Sequence, residues 1–197
     1  MLYKYFLKNL QTIVAIGIFA LVGCQSPQIR PADLLFHVSD EENAITAVTP
    51  AMIDHVAIVV SRDSVIEAVG KGVVATPLDS LRAQKGHYLI GRVRRADSRK
   101  SLEKARRFLG QAYDTLYLPD NDAIYCSELV QLSFVNDHGR PIFQPVPMTF
   151  RDSTGQIPVH WQELYRRNGL AVPEGLPGSN PAELSQRKIV KIVGKLP

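Results

Sequence analysis

A block of short strands that begins at residue 55 constrains the fold of this 197-residue chain more than any other feature. The run His55-Val56-Ala57-Ile58-Val59-Val60 is apolar and rich in β-branched residues, which predicts a strand buried on both faces. Ser61-Arg62-Asp63-Ser64 predicts a turn, and Val65-Ile66-Glu67-Ala68-Val69 predicts the next strand. The fold must therefore include a sheet that other elements cover.

Helical patterns are interspersed with the strands along the chain. Further strands are predicted at 33–36, 73–75, 88–93 and 188–193. Helices are predicted at 77–84, 98–111, 126–136 and 159–168. Asp97 or Ser98 can cap the second of these helices. No internal repeat is visible, so the pattern predicts one α+β domain.

The first residues have the features of an export signal. Lys4 and Lys8 precede an apolar run at 13–22, which is too short to span a bilayer comfortably. The stretch Leu21-Val22-Gly23-Cys24 resembles a bacterial lipoprotein signal, in which the cysteine is lipidated and begins the mature chain. An ordinary signal peptide and a short membrane anchor are the alternatives.

Processing at Cys24 would divide the chain into a signal peptide (1–23), a tether (24–32) and a single domain (33–197). The lipid on Cys24 would then hold the exported domain at a membrane of the bacterial cell envelope. The residue after the cysteine is Gln25 and not Asp. If the host has two membranes, this favours sorting of the lipoprotein to the outer membrane, facing the periplasm.

The charge of the chain gives no sign of a nucleic-acid partner. The net charge is +4, and two basic residues would leave with the signal peptide. No basic stripe is interleaved with aromatic residues. We interpret the basic run at 92–107 as a solvated strand end and helix face, with contact to an anionic envelope surface as the alternative.

Cys126 is the strongest candidate for chemistry. The chain has two cysteines, and the assignment of Cys24 to a lipid leaves Cys126 without a disulfide partner. Export compartments favour disulfides, so an unpaired thiol there is either buried and inert or kept for chemistry. Cys126 opens a predicted helix, where the helix dipole and unpaired N–H groups favour a thiolate. It is a candidate nucleophile, and a small buried hydrophobe is the alternative.

His55 and Glu67 are candidates for the groups that would activate the thiol. A histidine in an apolar strand is often purely structural, but a carboxylate inside Val-Ile-Glu-Ala-Val is costly to bury unless it is paired. A hairpin centred on Ser61 with an odd number of loop residues would place the two side chains opposite each other on one face. An even loop would separate them. If they meet, Glu67 orients the imidazole as the third member of a catalytic triad.

Tyr113 lies thirteen residues before Cys126. It is either an aromatic residue that packs on the core at a helix end, or a hydroxyl that helps the Cys126 N–H hold a tetrahedral oxyanion. The remaining histidines have no Cys or carboxylate at metal-ligand spacing, and these are His37, His87, His138 and His160. The chain also lacks a glycine-rich phosphate loop and a Gly-x-Ser-x-Gly elbow, so neither a metal nor a cofactor is predicted.

Gly110-Gln111-Ala112-Tyr113-Asp114 and Tyr125-Cys126-Ser127-Glu128-Leu129-Val130 resemble the core of NlpC-type cell-wall cysteine hydrolases. In common members the histidine strand follows the cysteine helix, whereas here Asp54-His55 precedes it. That order is similar to the circularly permuted YiiX/YebB-like branch, whose papain-like fold lecithin:retinol acyltransferases share. The resemblance spans about residues 33–136, including Asp33-Leu34-Leu35-Phe36 and Ile66-Glu67-Ala68.

The resemblance implies a papain-like fold with an antiparallel sheet packed against helices. It implies Cys126 as nucleophile, His55 as base, Glu67 as the polar third residue and Tyr113 as the tyrosine beside the thiol. Common members have Asp before the cysteine, where it helps to receive the free amine of a peptidoglycan stem peptide. Tyr125 stands there in this chain, so the substrate-binding residue is predicted to suit a more apolar ligand, such as an acyl chain.

These observations predict an envelope-anchored cysteine hydrolase of the peptidase or amidase type. It would cleave an amide or ester in a cell-wall peptide or a lipid-linked acyl substrate through a thioester. The alternatives are acyl transfer to an alcohol or amine, and a non-catalytic lipoprotein that binds lipid or peptide. A structural envelope protein is a further alternative. The position of Glu67 within an apolar strand argues against it.

Overall fold

A computed structural model describes residues 28–197 of the protein, and the predicted signal peptide and lipidation site therefore lie outside the described residues. The described chain contains ten strands: β1 (Asp33–Val38), β2 (Ile53–Val59), β3 (Ser64–Val69), β4 (Gly72–Pro77), β5 (His87–Val93), β6 (Ala112–Tyr113), β7 (Ala123–Ile124), β8 (Val146–Pro147), β9 (Pro177–Gly178) and β10 (Val190–Lys195). Its helices are α1 (Leu78–Arg82), α2 (Ser98–Arg107), α3 (Cys126–Ser133), α4 (Val159–Arg167) and α5 (Pro181–Gln186), with a short 3-10 helix at Pro50–Met52. None of the helices in this range is long and apolar enough to cross a bilayer.

The centre of the fold is a six-stranded antiparallel sheet in the order β10-β5-β1-β2-β3-β4. Two small sheets complete the structure, one pairing β6 with β7 in parallel and one pairing β8 with β9 antiparallel. The predicted α+β class and the sheet packed against helices are confirmed.

Both faces of the sheet are covered, as the apolar run in β2 predicts. On one face, Val56 and Ile58 pack in a core with Leu129 and Val130 of α3 and with residues of α2 and α5. On the other face, alternate residues of β2 pack against α1 and β5. Leu129 is fully buried, and burial of such a side chain contributes about 1.5–3 kcal/mol. This packing fixes the start of α3 relative to β2.

The loop between β2 and β3 has an odd number of residues. An odd loop places the side chains of His55 and Glu67 on the same face of the sheet, where they can meet. The paired residues of this hairpin are Ile58 with Ile66 and Val59 with Val65, and the N–H of Val60 donates to the carbonyl of Ser64 at 3.0 Å. The loop is therefore centred on Arg62 instead of Ser61. Continuing the same register places Glu67 opposite Ala57, so that His55 and Glu67 are diagonal neighbours instead of direct partners.

Two predicted helices end earlier than their apolar patterns indicate. Helix α2 ends at Arg107, because Gly110 turns with a φ of +88° and its N–H donates to the Val73 carbonyl of β4 at 2.9 Å. Helix α3 ends at Ser133, because Phe134 is extended and the next residue forms a β-bridge with Pro141. In both places long-range backbone pairing overrides local helical preference.

Helix α5 is not among the helices that the sequence predicts. Pro181 is accepted because it occupies the first turn, where its missing N–H has no intrahelical partner. The Asn180 side chain caps the helix by accepting from the N–H of Glu183 at 2.7 Å.

A separate aromatic cluster lies beside the start of α3. We use this name for the side chains of Tyr113, Tyr117, Tyr125, Phe150, Trp161 and Tyr165. The indole Nε1 of Trp161 donates to the carbonyl of Ala44 at 3.2 Å, and the hydroxyl of Tyr165 donates to the carbonyl of Leu116 at 2.6 Å. These contacts join chain segments that are far apart in sequence.

Candidate active site

Cys126 is the first residue of α3. It follows β7 and the extended residue Tyr125, and it is 5% exposed. The first backbone hydrogen bond of the helix runs from the N–H of Leu129 to the carbonyl of Tyr125 at 3.0 Å. The N–H groups of the first helical residues therefore have no intrahelical partner, and that of Cys126 can face a developing oxyanion.

The start of α3 is anchored to the segment before α5. The Ser127 hydroxyl donates to the Ser179 carbonyl at 3.1 Å, and the Ser179 N–H donates to the Tyr125 hydroxyl at 3.1 Å. The Tyr125 hydroxyl in turn contacts the sulfur of Met148 at 3.7 Å. Tyr125, which the sequence predicts to bind substrate or an oxyanion, thus uses its hydroxyl inside the protein and is 2% exposed. Its ring lines the pocket described below.

His55 and Glu67 meet, as the odd hairpin loop allows. The Nε2 atom of His55 lies 2.7 Å from Oε2 of Glu67, which is 4% exposed. Burial alone would raise the pKa of Glu67, but the hydrogen bond and the positive charge of His55 bring it below its ordinary value. Glu67 is therefore an ionised carboxylate held against the imidazole.

His55 lies between Glu67 and the thiol of Cys126. Burial lowers the pKa of His55, but hydrogen bonds with Cys126 and Glu67 and their negative charges outweigh it and raise the pKa to about 10. Since Nε2 bonds Glu67, Nδ1 is the ring nitrogen left for the sulfur. At neutral pH His55 is thus an imidazolium beside the ionised Glu67.

Tyr113 lies beside Cys126 and is joined to a second tyrosine. Its strand β6 pairs with β7, which leads to Cys126. Its hydroxyl lies 3.3 Å from that of Tyr117. Burial, and then the negative charge of Cys126, raise the pKa of Tyr113. Burial also raises the pKa of Tyr117, to about 12, despite the hydrogen bond that it shares with Tyr113. Both hydroxyls therefore keep their protons at neutral pH and can donate hydrogen bonds.

A narrow pocket of about 50 Å³ opens onto Cys126. Its walls are mostly apolar or aromatic and are formed by Ile45, Val48, Tyr113, Tyr117, Tyr125, Met148, Phe150, Trp161 and Pro181. The polar lining residues include Thr49, Thr149 and Asn180. Apart from the thiol and the tyrosine hydroxyls, the one ionisable lining group is the Asp54 carboxylate.

Asp54 belongs to a hydrogen-bonded cluster that the sequence does not predict. Its Oδ1 lies 2.6 Å from Nδ1 of His37, and its Oδ2 accepts from the Asn43 side chain at 2.7 Å. The other nitrogen of His37 donates to the Lys85 carbonyl at 2.8 Å. The hydrogen bond to Asp54 raises the pKa of His37. Burial alone would raise the pKa of Asp54, but the hydrogen bonds that Asp54 accepts bring its pKa below the ordinary value. Asp54 is therefore an ionised carboxylate in the pocket wall, and His37 is hydrogen-bonded to it from behind the wall.

Residues 28–193 match the model of a family described as permuted papain-like amidase enzymes, YaeF/YiiX, C92 family. The uncharacterized protein YiiX of Escherichia coli K12 is 31% identical over 153 residues, which are 72% of this chain and 75% of that protein.

A crystal structure of the metalloprotein yiiX from Escherichia coli O157:H7 has a similar fold. Its TM-score is 0.70 at 24% identity, and the match covers 86% of this chain and 98% of that one. Between residues 28 and 197 of this chain, no group of three or more His, Cys, Asp or Glu side chains is arranged to hold a metal ion. The described residues therefore do not fit a bound metal ion.

The predicted family and the permuted papain-like fold are both confirmed. Helix α3 and the histidine strand occur in the order that the sequence predicts for the permuted branch. The chain belongs to the permuted papain-like amidase family of YaeF and YiiX, whose activity is of the cysteine hydrolase type.

Proposed function

We propose that the protein is a lipid-anchored envelope hydrolase that removes an apolar acyl group from an amide or ester through a thioester on Cys126. The observation that carries this proposal is the 2.7 Å contact of His55 with the buried Glu67, together with the raised pKa of His55, to which Cys126 contributes. A nucleophile, a proton carrier and an orienting carboxylate in contact form the arrangement that nucleophilic acyl transfer requires.

In the proposed acylation step, the Cys126 sulfur attacks the substrate carbonyl carbon and a carbon–sulfur bond forms. The resulting oxyanion accepts hydrogen bonds from the Cys126 N–H and the Tyr113 hydroxyl. The His55 imidazolium then gives its proton to the leaving nitrogen or oxygen, whose bond to carbon breaks. Glu67 stabilises the charged imidazole until the proton leaves.

In the proposed deacylation step, the neutral His55 accepts a proton from water as that water attacks the thioester carbonyl. The carbon–sulfur bond breaks, the free acid departs, and the thiolate–imidazolium pair is restored. An alcohol or amine in place of water would give acyl transfer by the same steps, so the acceptor decides between the two reactions.

The walls of the pocket support an acyl substrate. The aromatic and aliphatic lining offers apolar contact, and burial of apolar area is the dominant favourable term in binding such a chain. The alternative substrate is a cell-wall peptide with a free amine, and Asp54 is the carboxylate that could receive it. Both oxygens of Asp54 already accept hydrogen bonds, and His37 already pairs with its charge. The geometry therefore favours the acyl substrate.

The anchoring part of the proposal rests on sequence. The stretch ending at Cys24 has the charge, apolar run and small residues of a lipoprotein signal. The tether would place the hydrolase at a membrane surface, where lipid-linked acyl groups are found. Radiolabelled palmitate incorporation, which Cys24→Ala should abolish, tests this part separately.

The experiment for the catalytic part uses p-nitrophenyl esters of increasing acyl length with residues 24–197, the predicted tether and domain. We expect a burst of p-nitrophenol and an adduct of the acyl mass on Cys126, both absent in Cys126→Ala. Release of free acid, or of an ester when an alcohol is added, separates hydrolysis from transfer. An undiminished burst in folded Cys126→Ala, or a preference above ten-fold for an amine-bearing peptide ester, would contradict the proposal.

A further inference from the structure

Tyr117 lies in the pocket wall in a backbone conformation that its side chain disfavours. Its φ is +50°, in the left-handed region that bulky residues rarely adopt. Such a residue persists only where the surroundings over-determine it, and such positions cluster at functional sites. The question is what holds Tyr117 in this conformation and what its side chain does there.

The buried carboxylate of Asp114 holds the loop on both sides of Tyr117. Asp114 is 4% exposed, and its oxygens accept from the N–H of Leu116 at 2.8 Å and the N–H of Leu118 at 2.7 Å. The Asn121 side chain donates to the same carboxylate at 3.1 Å. The backbone immediately before and after Tyr117 is thus fixed by one side chain.

The ring of Tyr117 is held by the aromatic cluster. Its centroid lies 5.2 Å from that of Tyr125 and 5.6 Å from that of Trp161, the latter in an edge-to-face arrangement. Such distances are those of favourable aromatic pairs. The loop and the ring contacts together leave the Tyr117 hydroxyl directed at the Tyr113 hydroxyl, 3.3 Å away.

We propose that Tyr117 is a positioning residue of the candidate active site, whose hydroxyl holds the Tyr113 hydroxyl where it can donate to the oxyanion formed at Cys126. This inference rests on the proposed function, in which Tyr113 is an oxyanion donor. When Tyr117 donates to Tyr113, the Tyr113 oxygen is satisfied as an acceptor and its proton is free for the substrate. Hydrogen bonds in such a chain polarise one another, so the Tyr113 donor becomes stronger.

The negative charge of Cys126 acts on both hydroxyls, because it contributes to the raised pKa of each tyrosine. Tyr113, Tyr117 and Cys126 also line the same pocket. An oxyanion beside the thiol would therefore meet a pair of linked donors. A preorganised pair needs no reorganisation when charge develops, which is how donors of this kind accelerate a reaction.

The test compares Tyr113→Phe, Tyr117→Phe and the double variant in single-turnover acylation by p-nitrophenyl butyrate. Each single change should slow acylation about ten-fold with little effect on the half-saturating ester concentration. The double variant should be no slower than Tyr113→Phe, because Tyr117 acts only through Tyr113. Tyr88→Phe is the matched control, since it removes a buried hydroxyl that donates to Gln84 outside the pocket, and it should leave the rate within two-fold.

A second readout does not depend on activity. In ¹³C-tyrosine-labelled protein, Tyr117→Phe should shift the Tyr113 Cζ signal, and Tyr88→Phe should leave it unmoved. An unmoved signal, a wild-type acylation rate in Tyr117→Phe, or additive losses in the double variant would each overturn the inference. A wild-type protein that never acylates Cys126 would overturn the proposed function, and the Cζ signal would then decide whether Tyr117 holds Tyr113.

Discussion

The sheet that carries His55 and Glu67 and the aromatic cluster that lines the pocket hold their residues in different ways. The sheet pair lies within one hairpin, twelve residues apart, and its strands are joined by regular backbone hydrogen bonds. The aromatic cluster is assembled from distant segments through single contacts, such as Trp161 to Ala44 and Tyr165 to Leu116. Proton transfer thus depends on a local, rigid unit, whereas the shape of the pocket depends on long-range packing.

Because of this difference, proton transfer and substrate fit can be changed separately in this protein. A substitution in the hairpin should alter the rate of acylation and leave the pocket intact. Truncation of Phe150 or Trp161 in the aromatic cluster should alter folding and ester affinity and leave His55 and Glu67 in contact, whereas the Tyr113 and Tyr117 hydroxyls of the same cluster act on the rate of acylation. The following predictions test that separation, beginning with the largest effect.

Loss of the imidazole should have the largest effect. His55→Ala removes the proton carrier, and we expect kcat/KM for p-nitrophenyl butyrate to fall about 10³-fold, in the range for general acid–base groups. Glu67→Gln should cost less, about 10–100-fold, because the amide oxygen can still accept from the imidazole. Steady-state kinetics measure both, and KM should stay nearly constant. A His55→Ala protein with more than a tenth of wild-type activity would rule out this role.

Trp161→Ala should cause the largest loss of stability. The indole is 2% exposed and packs edge-to-face on Phe150 at a centroid distance of 5.1 Å. Removal of such a side chain costs about 3–5 kcal/mol, which urea unfolding will measure. Val159→Ala is the matched control on the same helix; its side chain is 67% exposed, so the cost should stay below about 0.5 kcal/mol.

In Trp161→Ala, the rate of Cys126 alkylation by iodoacetamide should remain within about three-fold of wild type in the temperature range where the variant is folded. This expectation follows because His55 and Glu67 make no aromatic contact with Trp161 among the residues described. A collapse of thiol reactivity together with stability would show that the hairpin and the aromatic cluster are one unit.

The titration of His55 should report its two partners. The wild-type imidazole should deprotonate near pH 10, and Cys126→Ala should lower that pKa because one hydrogen bond and one negative charge are lost. Proton NMR of the His55 ring measures this change. Because the folded pKa exceeds the ordinary value of 6.5, the stability that His55 contributes is complete below pH 6.5 and is lost as pH rises through about 10. Urea unfolding of wild type should therefore weaken over that interval, and His55→Ala should lack this component.

The sequence predicts the part of the site formed by His55 and Glu67, because the patterns that specify this hairpin lie close together in the chain. An apolar strand, a turn and a strand with an embedded carboxylate specify the pairing of His55 and Glu67, apart from the choice between odd and even loops. The position of Cys126 at a helix start is also local, since the apolar pattern begins there. The predicted end of α3 at residue 136 is wrong, because Phe134 is extended and Val135 forms a β-bridge with Pro141.

The aromatic side of the site could not be predicted in the same way. Nothing in the sequence near Trp161 indicates that its indole reaches Ala44, and no periodic pattern places Tyr117 with a positive φ. The pairing of His37 with Asp54 also depends on the register between β1 and β2, which hydrophobic alternation alone does not fix. Contacts between distant segments depend on the folded topology, so single-sequence reasoning does not identify them.

The smallest effect is expected from Asp54→Asn, and it addresses the substrate most directly. The amide keeps one oxygen to accept from His37, so the wall of the pocket should persist while its negative charge is lost. If the substrate is an apolar acyl compound, kcat/KM for p-nitrophenyl butyrate should change less than about three-fold, and the His37 pKa should fall because its anionic partner is gone. If the pocket receives an amine, an amine-bearing ester should instead lose more than ten-fold in kcat/KM while the butyrate ester is unaffected. That pattern would assign Asp54 to substrate recognition, and the peptide alternative would replace the acyl substrate proposed above.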